Sequence, residues 1–250
     1  MLLIDSGNSA VKCRLIQQEG VTDRVFPVRH DLNLLEFTHF IQSIETDAVY
    51  LASVASEQIS QLIIDLVRQH MGAVVQPVKT MVELGGLKNG YLEYTQLGVD
   101  RWLTLLAAND LINGDVVIVD AGSAITVDLL SKRKGHLGGA ILAGFQTGIE
   151  RFKQIFPDLD FNHPDIAQSE CPGRSTAGCI HLMKEPVTVT QVIQLISRWS
   201  HLLDEPVRVL LCGQDATYIS ESLDRDYEVI PDLVFKGMLK QIELTSSSTR

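Results

Sequence analysis

The sequence predicts an α/β protein of two similar halves, each a mixed sheet flanked by helices, with a cleft between them. Two observations predict this. The first is an internal repeat. LLIDSGNSAVKCRLI (Leu2 to Ile16) and VIVDAGSAITVDLL (Val117 to Leu130) both run from an apolar segment through Asp-x-Gly and a small hydroxyl or amide residue into a second extended segment. Asp5 registers with Asp120, Gly7 with Gly122 and Gly20 with Gly135, all at an offset of 115 positions. The last pair opens a third extended stretch in each half, VTDRVFPVRH and HLGGAIL. The second observation is the alternation of strand-type and helix-type segments between the repeats, the pattern of sheets covered by helices.

The elements follow in order. AVYLASV (Ala48 to Val54) and AVVQPV (Ala73 to Val78) read as strands. They flank EQISQLIIDLVRQH, where Ile59, Leu62, Ile63, Leu66 and Val67 keep helical spacing. VDRWLTLLAANDLI (Val99 to Ile112) reads as an amphipathic helix. The boundary falls at Asn113 and Gly114, giving halves 1–114 and 115–250. Beyond it, VTQVIQLISRWSHLL is helical, PVRVLLCGQDA reads as strand, glycine turn and helix start, and PDLVFKGMLKQIEL as a closing helix. PDLDFNHPDIAQSECPGRST, broken by three prolines, is expected to be a loop or lid, and the tail TSSSTR to be disordered.

Composition narrows the function. The chain has 250 residues, 45% hydrophobic and 21% charged, an ordinary globular balance. Its net charge of -10 argues against nucleic acid, whose binding rests on neutralising phosphates with basic residues. Cys13, Cys171, Cys179 and Cys212 match neither a disulfide framework nor a metal knuckle. The first residues lack the features of a signal peptide, and no apolar run reaches the roughly 20 residues of a membrane span. The expectation is a reduced, cytoplasmic protein without membrane contact.

The chemistry concentrates in short stretches. In DSGNS, a glycine after a strand permits a positive φ and brings backbone N–H groups near an anion. Asn8 and Ser9 add donors, Lys12 adds an ammonium, and Asp5 suits a cation that a phosphate also holds. Alone, DxGN reads better as a plain hairpin turn. Its partner DAGSA, with Asp120 and Ser123, makes a pair of turns able to grip a phosphate chain. Neither a P-loop nor a G-x-G-x-x-G helix start is present. In NGYLEYTQLGVDRW, Asp100 and Arg101 stand at a helix start behind Gly98 and Val99. Asp100 suits a cap, but an Arg in that first turn opposes the helix dipole. The pair instead suits proton acceptance from a hydroxyl and a bidentate clamp on a carboxylate, with Tyr91 lining the same pocket. Gly213 in LCGQDA either lets a flat base approach the backbone or simply turns strand into helix. The seven histidines and both tryptophans read as structural.

Taken in order, DSGNS, NGYLEYTQLGVDRW, VIVDAGSAITVD, HLGGAIL and PDLVFKG resemble type III pantothenate kinase over essentially the whole chain. That family belongs to the acetate and sugar kinase/actin superfamily. The resemblance therefore implies two ribonuclease-H-like halves, a duplicated actin-like ATPase fold. It implies ATP-dependent phosphorylation of pantothenate to 4'-phosphopantothenate, the first step of coenzyme A biosynthesis, with Mg2+ and a monovalent cation, potassium or ammonium. By position, Asp5, Ser6, Gly7, Asn8, Ser9 and Lys12 match the first phosphate motif, and Ser123 an ATP-contacting residue. Asp100 matches the general base, and Tyr91, Gly98, Val99 and Arg101 its pantothenate-binding neighbours. Asp120 matches the monovalent-cation ligand. Thr176 matches a threonine that reaches pantothenate across a homodimer interface. Departures from the family pattern are Ser123 for Thr, Ala143 for Pro and Gln214 for Gly. A catalytically silent nucleotide-binding regulatory module of the same fold is the alternative.

Overall fold

The computed structural model describes residues 1–29, 31–32, 34–46, 48–161, 172–182, 187–203, 207–224 and 226–247. His30, His163, Cys171 and the middle of the proline-broken segment lie outside them. The chain divides into two compact units, Met1–Ala107 with Leu233–Arg250, and Ala108–Asp232. The halves 1–114 and 115–250 remain a proposal drawn from the repeat; the final helix is the main element that the two divisions assign differently.

The first unit opens with strands β1 (Leu2–Ser6), β2 (Ala10–Gln17) and β3 (Gly20–Arg29), then β4 (Asp31–Leu32) and helix α1 (Leu34–Gln42). Strand β5 (Val49–Ser53), helix α2 (Glu57–Met71) and strand β6 (Val75–Pro77) follow. The small hairpin β7 (Glu83–Leu84) and β8 (Leu87–Lys88) leads to α3 (Val99–Leu111), and the division into units falls inside α3. The sheet order is β4-β3-β2-β1-β5-β6. β1 is central and buried along its whole length, as the continuous run LLIDS requires, whereas β2 alternates. Leu2, Ile4, Val11, Cys13 and Leu15 join Phe37, Ile41, Ile63 and Val67 of α1 and α2 in one core. α2 is capped at both ends: Ser56 Oγ accepts the Ile59 N–H, and Gly72, at φ 66°, closes onto the Arg68 carbonyl.

The second unit holds β9 (Val116–Ala121), β10 (Ala124–Ser131), β11 (Gly135–Ala143), α4 (Phe145–Ile155), α5 (Thr176–His181), α6 (Thr188–Ser200), β12 (Arg208–Cys212), α7 (Ala216–Ser220) and β13 (Tyr227–Val229). Its sheet order is β11-β10-β9-β12-β13. β10 pairs antiparallel with β9 and β11, while β9–β12 and β12–β13 are parallel. The order β3-β2-β1-β5-β6 has the same pairing senses. The repeat is therefore a repeat of topology, and each Asp-x-Gly turn leaves the C-terminal end of a central strand.

The constant offset hides three shifts. Asp5 faces Lys12, seven positions on, but Asp120 faces Thr126, six positions on, so the second turn is one residue shorter. The next turn returns that residue, with Gln17 facing Gly20 but Ser131 facing Gly135. An irregularity between Leu129 and Leu130 then adds another on β11. Gly20 (φ 143°) and Gly135 (φ 81°) need their glycines for backbone conformation. Gly7, read as permitting a positive φ, does not have one, and nor does Gly122.

The closing helix α8 (Leu233–Ser247) packs in the first unit. A Cβ at Gly237 would collide with the Leu103 backbone, so helix and helix meet at van der Waals distance. Trp102 Nε1 donates to Gln241 Oε1 at 2.9 Å, and Gln241 Nε2 donates to the Lys79 carbonyl at 2.9 Å. Covered in this way, α3 is buried at every residue from Arg101 to Ala108, not amphipathic as its sequence suggested. α8 also continues through Thr245, Ser246 and Ser247, the first half of the expected disordered tail; residues 248–250 lie outside the described set. Among the described residues, no helix is long and apolar enough to cross a membrane.

Candidate active site

The first turn is closed by the Gly7 N–H donating to the Ala10 carbonyl at 3.0 Å. Asn8 and Ser9 are exposed at its tip, and the Ser9 carbonyl accepts the Val28 N–H at 2.8 Å. Asp5 is 8% exposed. It lies directly across from Lys12 in the antiparallel ladder, so both side chains share a face. Ser6 alternates to the opposite face with Val11; its Oγ is buried and has no hydrogen-bond partner among the described residues. The Ser6 carbonyl, in turn, accepts the N–H groups of Val54 (3.0 Å) and Ala55 (3.2 Å). Burial, and secondarily the Asp5 charge, push the Cys13 thiol far up.

At the start of α3, Asp100 Oδ1 accepts the Arg101 backbone N–H at 2.8 Å. A Cβ at Gly98 would stand 2.5 Å from that oxygen and 3.5 Å from Val54 Cγ1. The Asp100 carboxylate thus occupies the space a side chain at 98 would take. Arg101 is buried, and its guanidinium is held by Tyr91: Nη1 donates to the phenol oxygen at 2.6 Å, and Cζ lies 5.4 Å from the ring centroid. The Tyr91 N–H is fixed by Asn89 Oδ1 at 3.0 Å. The expected grouping of Tyr91, Gly98, Asp100 and Arg101 is one cluster in space. Val54 stands on the side of Gly98 where a Cβ would be, and its N–H is tied to the Ser6 carbonyl at the strand end carrying the first turn. Gly98→Ala is expected to push the Asp100 carboxylate aside, lowering kcat about 10- to 100-fold with little change in thermal midpoint. Steady-state kinetics beside a melting curve would check it, and an unchanged kcat would contradict it.

The second turn is closed by the Gly122 N–H donating to the Ala124 carbonyl at 3.0 Å. Asp120 is half-buried, across from Thr126 and beside Cys212. Gly213 has φ +88°, and a Cβ there would collide with the Ala121 carbonyl and stand 2.5 Å from Asp120 Oδ1. Its space on that side is therefore taken by the chain itself rather than left for a flat base. The Asp215 N–H donates to the Ala121 carbonyl at 3.0 Å, as Val54 and Ala55 do to Ser6 in the first half. The Ser123 carbonyl accepts the Gly144 N–H at 3.0 Å and the Thr147 hydroxyl at 2.6 Å. Gly144 lies so close that a Cβ would collide with the Gly122 carbonyl. Thr176 is exposed at the first position of α5, beyond the Ser175 cap whose Oγ accepts the Gly178 N–H at 3.0 Å.

Two surface hollows, about 350 Å3 beside Arg208 and Tyr227 and about 200 Å3 beside Asp115 and Lys132, are not lined by these residues. Each Asp-x-Gly turn offers one carboxylate. That donor set suits an ion shared with phosphate oxygens and water, the usual habit of Mg2+, rather than a protein-only cage. At Asp120 the missing Gly213 side chain leaves room for the carboxylate oxygen. His136, whose Nε2 lies 2.9 Å from Asp128 Oδ1, and Trp102 are both buried.

Solved structures show the fold. A Baf family transcriptional activator from Campylobacter jejuni matches 99% of this chain and 100% of its own, with TM-score 0.58 at 20% identity. A structure described as a 2-dehydro-3-deoxygalactonokinase from Sinorhizobium meliloti matches 97% and 95%, with TM-score 0.54 at 12% identity. The fold is the α/β architecture of two similar halves expected from the repeat. A sequence model of type III pantothenate kinase matches residues 1–191. The type III pantothenate kinase of Pseudomonas fluorescens (strain Pf0-1) is 30% identical over 248 residues, 95% of this chain and 97% of its own. This chain belongs to the type III pantothenate kinase family, phosphotransferases that use ATP to phosphorylate pantothenate in coenzyme A biosynthesis.

Proposed function

We propose that Asp100 is the general base of this reaction, taking the proton of pantothenate's terminal hydroxyl as its oxygen attacks the γ-phosphorus of ATP. The observation that carries the reading is the cluster at the start of α3. There the Asp100 carboxylate is anchored through one oxygen on the Arg101 N–H, and the Arg101 side chain is steadied by Tyr91. A buried guanidinium with a fixed plane is suited to a carboxylate such as that of pantothenate. Phosphoryl transfer asks the protein mainly for in-line positioning and charge neutralisation.

The remaining roles follow the two turns. Asp5, Gly7, Asn8, Ser9 and Lys12 face the phosphates, with Lys12 placed across the ladder from Asp5. Ser6 contributes through its backbone, since its side chain alternates to the core face. Mg2+, when bound with ATP at Asp5, offsets phosphate charge, and a monovalent cation at Asp120 adds to that offset beside Ser123. Gly98 and Val99 place the base, and Thr176 completes the pantothenate pocket from the second subunit of a cytoplasmic homodimer.

A coupled ADP-release assay tests the reading on purified protein with ATP and Mg2+, with and without pantothenate, in K+ and then in Na+. Pantothenate-dependent ADP that collapses in Na+ supports both the substrate and the role of Asp120. Absence of ADP in either salt, from folded protein that binds ATP, would shift the assignment to a silent nucleotide-binding module.

A further inference from the structure

We infer that Thr147 is a positioning residue for the nucleotide turn of the second half. The inference rests on the reading of Asp120-Ala-Gly-Ser123 as a phosphate and cation turn. In both halves the residue after the third strand's last pair donates its N–H to a turn carbonyl: Val28 to Ser9, and Gly144 to Ser123. The second half adds a hydroxyl bond, from Thr147 Oγ1 to the same Ser123 oxygen at 2.6 Å.

A carbonyl oxygen has two lone-pair directions, and Ser123 has both engaged by the first turn of α4. The contact is also steric, because Gly144 lies against the Gly122 carbonyl with no room for a Cβ. The turn is one residue shorter than its counterpart, so it has less backbone of its own with which to adjust. α4 therefore works as a brace. It fixes the plane of the 123–124 peptide, and with it the direction of the Ser123 hydroxyl and the neighbouring Asp120 carboxylate. Thr147 sits on the exposed side of α4 and its removal leaves no cavity in the core. Its loss is thus expected to move ligand binding rather than folding.

Thr147→Val keeps the shape and deletes the hydroxyl; Thr147→Ser keeps the hydroxyl. One lost hydrogen bond of ordinary strength corresponds to about a three- to tenfold change in an equilibrium constant. T147V is expected to raise the KM for ATP and the half-activating K+ concentration by that factor. The Kd of a non-hydrolysable ATP analogue with Mg2+, measured by calorimetric titration, should rise equally. The KM for pantothenate and the thermal midpoint should stay at wild-type values, and T147S should restore the rest. T147V within twofold of wild type in analogue affinity and K+ activation, or T147S as impaired as T147V, overturns the inference. If the wild type binds the analogue but does not phosphorylate pantothenate, the functional reading fails instead, and the analogue titration alone decides the role of Thr147.

Discussion

Asp100→Asn is expected to lower kcat about 10^2- to 10^4-fold, the range set by loss of a general base. The fold should be unaffected, because an Asn oxygen can accept the Arg101 N–H that Asp100 Oδ1 accepts now at 2.8 Å. The KM for pantothenate should change far less than kcat, since Tyr91 and Arg101 keep their mutual contact. Single-turnover kinetics with saturating ATP would separate the chemical step from binding. A variant that turns over at near-normal rate would remove Asp100 from the mechanism and leave it only as part of the helix start.

Gly213→Ala is expected to be strongly destabilising. The residue has φ +88°, where a side chain costs about 1–2 kcal/mol, and the added Cβ would meet the Ala121 carbonyl. Overpacking against a backbone that belongs to β9 adds about 1–3 kcal/mol. For a chain of this size the sum corresponds to a fall of roughly 5–15 °C in the unfolding midpoint. Asp120 would be displaced with it, so K+ activation should weaken in whatever protein remains folded. Gly122→Ala is the control: its Cβ would sit 3.6 Å from the Ala124 oxygen, an ordinary contact, and its midpoint should stay close to wild type. Equal destabilisation by the two substitutions would show that the collision at Gly213 is relieved at little cost.

The contrast between those glycines shows what a linear sequence carries. The strands, the two Asp-x-Gly turns and the helix from Glu57 to Met71 were legible because each depends on neighbours a few positions away. The shared cluster of Tyr91, Gly98, Asp100 and Arg101 was legible because its members are close in the chain. The reasons behind the glycines were not. Gly7 was read as permitting a positive φ, and it does not have one. Gly98 and Gly213 are needed for room around a carboxylate, and Gly144 for room around a carbonyl, which only the folded neighbours reveal. Helix α4 escaped notice because FQTGIERFKQI buries only Phe145 and Ile149 and follows a strand directly. With it went the Thr147 bond, which spans 24 positions. The offset of 115 was correct at the glycines and wrong between them, because a residue lost in one turn was returned in the next. α3 was misjudged for a similar reason, as its second covering face comes from more than a hundred positions further along.

That last contact bears on how the protein is made. Residues 1–107 leave the ribosome well before Leu233–Ser247, yet Trp102, Leu103, Lys79 and Arg14 all find partners on that final helix. The half that carries Asp100 therefore waits, partly uncovered, while the entire second unit is synthesised. Strand β1 and helix α3 are synthesised early, but the stretch that covers α3 follows only after the second unit. Burial of α3 is in this sense timed by translation of residues 233–247, not by its own.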